Sequence, residues 1–391
     1  MDFDPFDAAV KRDPYPFYAE LRRAAPVYHV AARRMWAVAR HADVAFALRR
    51  PDLFSSSVNA DGQELPAAET LLGSDPPAHA VLRKRVERTF TPRRVRELGP
   101  RLDVLASALV GAFAGRGAAD AVADLAAPLP VILIAEMMGI DPKRHADFKR
   151  WADAVIARGT GRASETPRAE LDARVGEFKA YLADVIAARR DAPGDDLVSA
   201  LVRDEPDAPG LPPAQALNLA VLLLLGGSET TTHLIGNALR ALFAQPQLLA
   251  RVRADANLTL AAVEETLRHD PPVQSILRRT TAGVELSGEQ LPAGATVILL
   301  LGSANRDERV FPDGDRFRLD REESAALGRP LSFGAGPHHC LGAALARMEA
   351  VAALRALLAL PGLRPAFTDV ALVDSFVLRG PRALPIAFDL G

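Results

Sequence analysis

The residues SFGAGPHHCLG, 332–342, set the chain's one cysteine among three glycines, a proline and two adjacent histidines. A lone Cys340 forms no internal disulfide, which leaves a ligand, a nucleophile or a small buried hydrophobe. After it, Leu341, Leu345, Met348 and the stretch 351–358 keep helical spacing, so the sulfur is expected at the start of a helix. There, free backbone N–H groups and the positive end of the helix dipole favour a thiolate over a thiol. Gly336 and Gly342 allow positive φ and close approach of a large flat partner, Pro337 restricts the loop, and Phe333 can pack beside the sulfur. A nucleophile asks for exposure and a base at hydrogen-bond range, which His338 and His339, directly preceding the sulfur, would meet only with unusual backbone geometry. Zinc asks for four ligands, and no second ligand cluster is evident. A haem iron needs one axial thiolate.

Three other segments carry residues of chemical interest. LLLLGGSETTT, 222–232, puts two glycines, an acid and three threonines inside an apolar helical run. Each glycine there costs about 1 kcal/mol relative to alanine, which points to close approach of another object. The polar residues after them can bond back to the helix and leave a notch in an apolar wall. In EETLRHDPP, Glu265 and Arg268 share one helical face at i, i+3 and Pro271 ends the helix; Glu264 is the alternative acid. DPPAHAVLRKR sets His79 and Arg83 at i, i+4, side by side on one face.

Helical periodicity dominates the elements that must position these residues. Helices are expected over 14–23, 42–49, 77–89, 95–113, 131–138, 145–158, 167–190 and 214–243, with a short one at 197–202 inside the Pro-, Asp- and Gly-rich stretch 191–213. The helix 214–243 is apolar on every side at its centre and is expected to run buried through the fold. Strands are expected at 27–30 and 35–39, and VELSGEQLPAGATVILLL reads as a small antiparallel element appended to a mostly helical body. With no linker or repeat, residues 1–391 read as one domain.

Phe333, Gly336, His338, Cys340 and Gly342 fall at the spacing F-x-x-G-x-[RH]-x-C-x-G, which resembles the haem-binding signature of the cytochrome P450 family. The other three segments match in the family's order, and the resemblance extends from DPYPFYAELR near the start to the end of the chain. It implies a mainly α fold with a small β region, a triangular helical prism around a long central helix. It also implies haem b bound through Cys340, with Gly226 and Gly227 beside it. Thr230 would hydrogen-bond dioxygen at the iron, and Glu229 would help bring protons. Gly226 stands where alanine is commoner in the family. His79, Arg83, Arg278 and His338 are the implied donors to the haem carboxylates, with Arg279 as a substitute for Arg278. Glu265 and Arg268 would form a buried pair tying their helix to the meander at 305–321. The implied reaction is insertion of one oxygen atom of O₂ into a small organic substrate. Electrons would come from a ferredoxin or flavodoxin-type partner and its NAD(P)H reductase. The rival readings are a peroxide-driven haem enzyme or isomerase, a haem sensor or carrier, and, more remotely, a cysteine hydrolase.

The segments expected to line the pocket, 58–72, parts of 150–190, 273–277, and Phe376 with Val377, are mainly apolar, which suits an apolar substrate. The stretch 159–169 is expected to belong to a lid. In 83–101 eight basic residues face Glu87 and Glu97, a surface the resemblance assigns to docking of an acidic redox partner. With 49% hydrophobic and 25% charged residues, the chain has material for a large core. A net charge of −2 argues against nucleic acid. No export signal is visible and the apolar run 219–227 is short of a membrane span, so a cytoplasmic protein is expected.

Overall fold

The run TVILL becomes a strand buried on both faces, and this explains why it shows no apolar–polar alternation. In the computed structural model, which describes residues 2–57, 70–160, 166–204, 209–321 and 328–390, Thr296–Leu300 pairs in parallel with Met35–Val38 and antiparallel with Ser275–Thr280. Val27–Val30 and Phe54–Ser55 complete a five-stranded sheet at its two edges. Val297 and Leu299 pack with Val38, Leu48 and Phe54 on one face, while Ile298 and Leu300 pack with Tyr18, Leu21 and Met35 on the other. The expectation of a merely appended β element is therefore corrected. Only the hairpin of Val284–Leu286 and Glu289–Leu291 fits that description, turning through Ser287 and Gly288 at φ 47° and 87°.

Two compact units make up the chain. The first comprises Met1–Ala80, His233–Ala343 and Phe367–Leu384 and holds the five-stranded sheet. The second comprises Val81–Thr232, Ala344–Ala366 and Pro385–Gly391. Within it, Pro385–Ala387 pairs with both Ala118–Asp120 and Arg364–Pro365, and most of the long helices belong here.

The expected helices appear as Tyr15–Ala24, His41–Arg49, Ala78–Glu87, Pro128–Met137, His145–Thr160, Arg168–Asp191, Leu197–Val202 and Pro213–Phe243. Gly139, at φ 71°, ends Pro128–Met137: its N–H reaches the carbonyl of Glu136 and that of Ile140 reaches Ala135, satisfying the last carbonyls of the helix. The single helix expected over 95–113 is two helices, Pro92–Glu97 and Gly99–Ala114. Pro100 has no N–H to give the carbonyl of Arg96, so the ladder breaks and restarts. A helix at Ala8–Arg12 had no periodic signal; Asp7 caps it, accepting from the N–H of Ala9 at 2.7 Å.

The helix Pro213–Phe243 runs for 31 residues. By length and composition it could cross a membrane, a correction to the reading from its apolar run alone, yet 61% of its most apolar window is buried within the protein, as in a core helix.

Candidate active site

Cys340 is exposed and lies three residues before the helix Ala343–Leu358, not within its first turn as expected. Its N–H donates to the carbonyl of Phe333 at 2.8 Å, and the turn Gly336–His338 fills the span between them. Gly334 and Gly336 take φ of 70° and 69°. A Cβ on Gly336 would stand 2.5 Å from the carbonyl oxygen of Leu48, so this glycine admits the chain's own backbone. Gly342 has neither a positive φ nor any atom within 4 Å of a Cβ built on it.

The base of the loop is fixed by residues that motif reading missed. Asn305 accepts from the N–H of Leu331 at 2.6 Å and donates to Ser332 Oγ at 2.7 Å; Ser332 Oγ donates in turn to the carbonyl of Leu267. Next to Leu267, Arg268 grips Glu265 through two bonds of 2.8 and 2.7 Å, both side chains being at most 4% exposed. Arg268 also donates to the carbonyls of Asn305, Gly314 and Arg316. Glu265 accepts from the N–H of Arg318 and the guanidinium of Arg321. The pair thus holds the stretch 305–321 to its helix by bidentate, charge-assisted bonds.

In the long helix, Gly226 and Gly227 are exposed, and nothing lies within 4 Å of a Cβ built on either. Thr230 Oγ1 donates to the carbonyl of Gly226 at 2.7 Å, and Thr232 Oγ1 to that of Ser228 at 2.9 Å. These back-bonds do not interrupt the helix, which stays continuous. Glu229 is 7% exposed. Thr231 turns to Glu349, a buried acid of the helix Ala343–Leu358 that the sequence did not single out.

Of the expected cationic donors, His79 and His338 lie together, ring centroids 4.0 Å apart. Arg278 sits on an interior strand, 8% exposed, donating a hydrogen bond to the carbonyl of Leu277 and making no ion pair among the described residues. Burial pushes its pKa down to about 10, against the pull of Asp75. A buried guanidinium with no carboxylate at ion-pair distance among the described residues fits a cofactor that brings carboxylates of its own. The open flank of Gly342 and the exposed sulfur of Cys340 fit a large flat group bound through a thiolate. Arg83 pairs with Glu87 at 2.7 Å. Arg279 pairs across the sheet with Ser55.

Among the segments expected to line a pocket, 58–69 and the part of the lid stretch at 161–165 lie outside the described residues. Two others are joined: the N–H of Gln274 donates to the carbonyl of Val377 at 2.7 Å, and Ser275 Oγ to that of Phe376 at 3.0 Å. In the basic stretch Arg85 is corrected from surface to interior, 4% exposed with its guanidinium on the carbonyls of Arg203 and Pro209. Arg88, Arg93 and Arg94 line a cleft of about 470 Å³, where Arg94 pairs with Asp195.

The family profile "Cytochrome P450" matches residues 146–360, more than half of the chain. The cytochrome P450 monooxygenase PikC of Streptomyces venezuelae is 39% identical over 97% of this chain and 92% of its own length. The cyclomarin C epoxidase CymV of Salinispora arenicola is 38% identical over 94% of each. The solved structure of the cytochrome P450 CYP109Q5 from Chondromyces apiculatus superposes with a TM-score of 0.90, at 39% identity, covering 100% of this chain and 99% of that one. The chain therefore belongs to the cytochrome P450 family, with its fold, its haem b cofactor and its monooxygenase activity.

Proposed function

We propose that the enzyme places one oxygen atom of O₂ on a mainly apolar small molecule, working as one haem-binding domain in the cytoplasm with electrons from a ferredoxin. The observation that carries the reading is the sulfur of Cys340, exposed at the end of a loop pinned by its own backbone and by Asn305. Cys340 would hold the cofactor's iron through its sulfur, and His79, Arg83, Arg278 and His338 would hold its carboxylates. When bound, haem b supplies reductive activation of dioxygen, which a thiolate favours by donating electron density.

The residues of the long helix do the rest. Gly226 and Gly227 put no side chain into the open space beside them. Thr230 holds its hydroxyl proton on the carbonyl of Gly226, from which a rotation about χ1 presents it to dioxygen. Glu229, buried one residue earlier, moves protons toward that hydroxyl. Phe376 and Val377 are held against 273–277 as part of the apolar wall that excludes water and receives the substrate. The basic cleft at Arg88 and Arg93 receives the acidic face of the ferredoxin.

The experiment is turnover of candidate apolar substrates, chosen by their spin-state change, with ferredoxin, reductase, NAD(P)H and isotopically labelled dioxygen. One labelled oxygen per product molecule is expected. Product formed only with peroxide, or binding with no substrate-stimulated NAD(P)H consumption, would contradict the reading.

A further inference from the structure

The edge strand Phe54–Ser55 runs into further serines, and one of them differs from its neighbours. Ser56 is 4% exposed, and its Oγ has no hydrogen-bond partner among the described residues. The other hydroxyls along this part of the sheet are paired: Ser55 donates to Asp75, Ser275 to the carbonyl of Phe376 and Thr280 to that of Pro292. The backbone of Ser56 is fixed, because its N–H donates to Asp75 at 2.9 Å. An unpaired buried hydroxyl costs stability that alanine in the same place would not, so the group asks for a partner from outside the chain.

The register says where that hydroxyl stands. Phe54 pairs with Thr280 and Ser55 with Arg279, so one residue further on Ser56 comes opposite Arg278. Side chains alternate between the faces of a sheet, and residues directly opposite each other share one. Ser56 therefore shares the face of Phe54. Arg278 lies opposite Val297, which packs with Phe54 in one core, so it shares that face too. The same core holds Leu331 and Ala335, which lead into the loop of Cys340. Asp75 adds a second tie: its carboxylate takes the N–H of Ser56, its carbonyl accepts from the N–H of His79 at 3.0 Å, and the ring of His79 lies against that of His338. Arg278 and Ser56 do not satisfy each other, since the guanidinium bonds the carbonyl of Leu277 and the hydroxyl bonds nothing described. Two buried donors on one face lack a common acceptor.

We infer that Ser56 is a further cofactor-binding residue, its hydroxyl donating to the haem carboxylate that Arg278 holds. A carboxylate oxygen accepts from both groups, so one charge-assisted contact satisfies the hydroxyl and compensates the guanidinium. It also fastens the edge strand to the cofactor as well as to Asp75. The inference rests on the haem-binding reading above.

Resonance Raman spectra of the ferric, haem-loaded protein and the rate of haem transfer to excess apomyoglobin test it. In Ser56→Ala the carboxylate bending mode of the haem is expected to shift, and haem transfer to quicken by about tenfold, the factor that one hydrogen bond to a charged group is worth. Ser55→Ala removes a hydroxyl from the same strand that is spent on Asp75, and is expected to leave the mode in place. The carbon monoxide spectrum of both variants is expected to match the wild type, since neither change touches the sulfur. A wild-type mode and transfer rate in Ser56→Ala overturn the proposal. So does an equal shift of the mode in Ser55→Ala, which would report a loosened strand instead of a lost contact. Wild-type protein that carries no porphyrin would sink the haem reading itself, a failure distinct from loaded protein in which Ser56→Ala changes nothing.

Discussion

Replacing Glu349 by glutamine should stabilise the protein near neutral pH, an unusual outcome for a change in a buried helix. The ordinary glutamate value is 4.5, and in the folded protein burial raises it to about 8, only partly offset by the hydroxyl of Thr231. Between these values the folded chain keeps a proton that the unfolded chain has lost. Stability therefore falls as pH rises from about 4.5 to about 8 and levels off above. At pH 7 holding the acid neutral costs about 3 kcal/mol, a large part of a typical net stability. Glutamine has the same shape and nothing to ionise. Urea unfolding of haem-loaded wild type and Glu349→Gln at pH 5 and pH 7.5 isolates the effect, because every other titrating group cancels in the difference. The variant should gain on the wild type by about 3 kcal/mol between the two conditions. A difference that does not change with pH, or a variant less stable at pH 7.5, refutes the reasoning.

Arg268→Ala should lose about 3–5 kcal/mol, because Glu265 would be left charged and buried without its bidentate partner; denaturant midpoints and the yield of folded protein measure this, and a cost below 1 kcal/mol would contradict it. Gly336→Ala and Gly226→Ala should behave oppositely. The first sets a Cβ 2.5 Å from the Leu48 carbonyl at φ 69°, so folded yield should drop, whereas the second meets open space and should raise helix stability by about 1 kcal/mol with haem content unchanged. Thermal unfolding and haem content report both. Charge reversal at Arg88 and Arg93 should weaken reduction by ferredoxin and leave substrate affinity unchanged, measured by reduction rate and spin-state titration; equal loss of both would argue against docking there.

What the sequence reveals depends on how local the interaction is. The loop around Cys340 is legible because its glycines, proline and sulfur are neighbours in the chain and each type has a conformational reason to be there. Glu265 and Arg268 are visible as a spacing, but their burial and their grip on 305–321 are tertiary facts that an i, i+3 pair does not carry. Thr296–Leu300 reads as apolar without revealing that it is a central strand, since burial on both faces erases alternation. Ser275–Thr280 is harder still, a short strand holding two arginines. Glu349 is invisible for a different reason. Its helix carries other charges, as solvated helices do, and its one partner is distant in sequence, so nothing in its neighbourhood marks it as buried.

The most direct test of the central claim is the absorption spectrum of the reduced protein with carbon monoxide, in wild type and in Cys340→Ser. A thiolate ligand from Cys340 predicts a main band shifted strongly to the red in the wild type and absent from that position in the variant. Protein that carries no porphyrin, or a serine variant whose spectrum and turnover match the wild type, would contradict it.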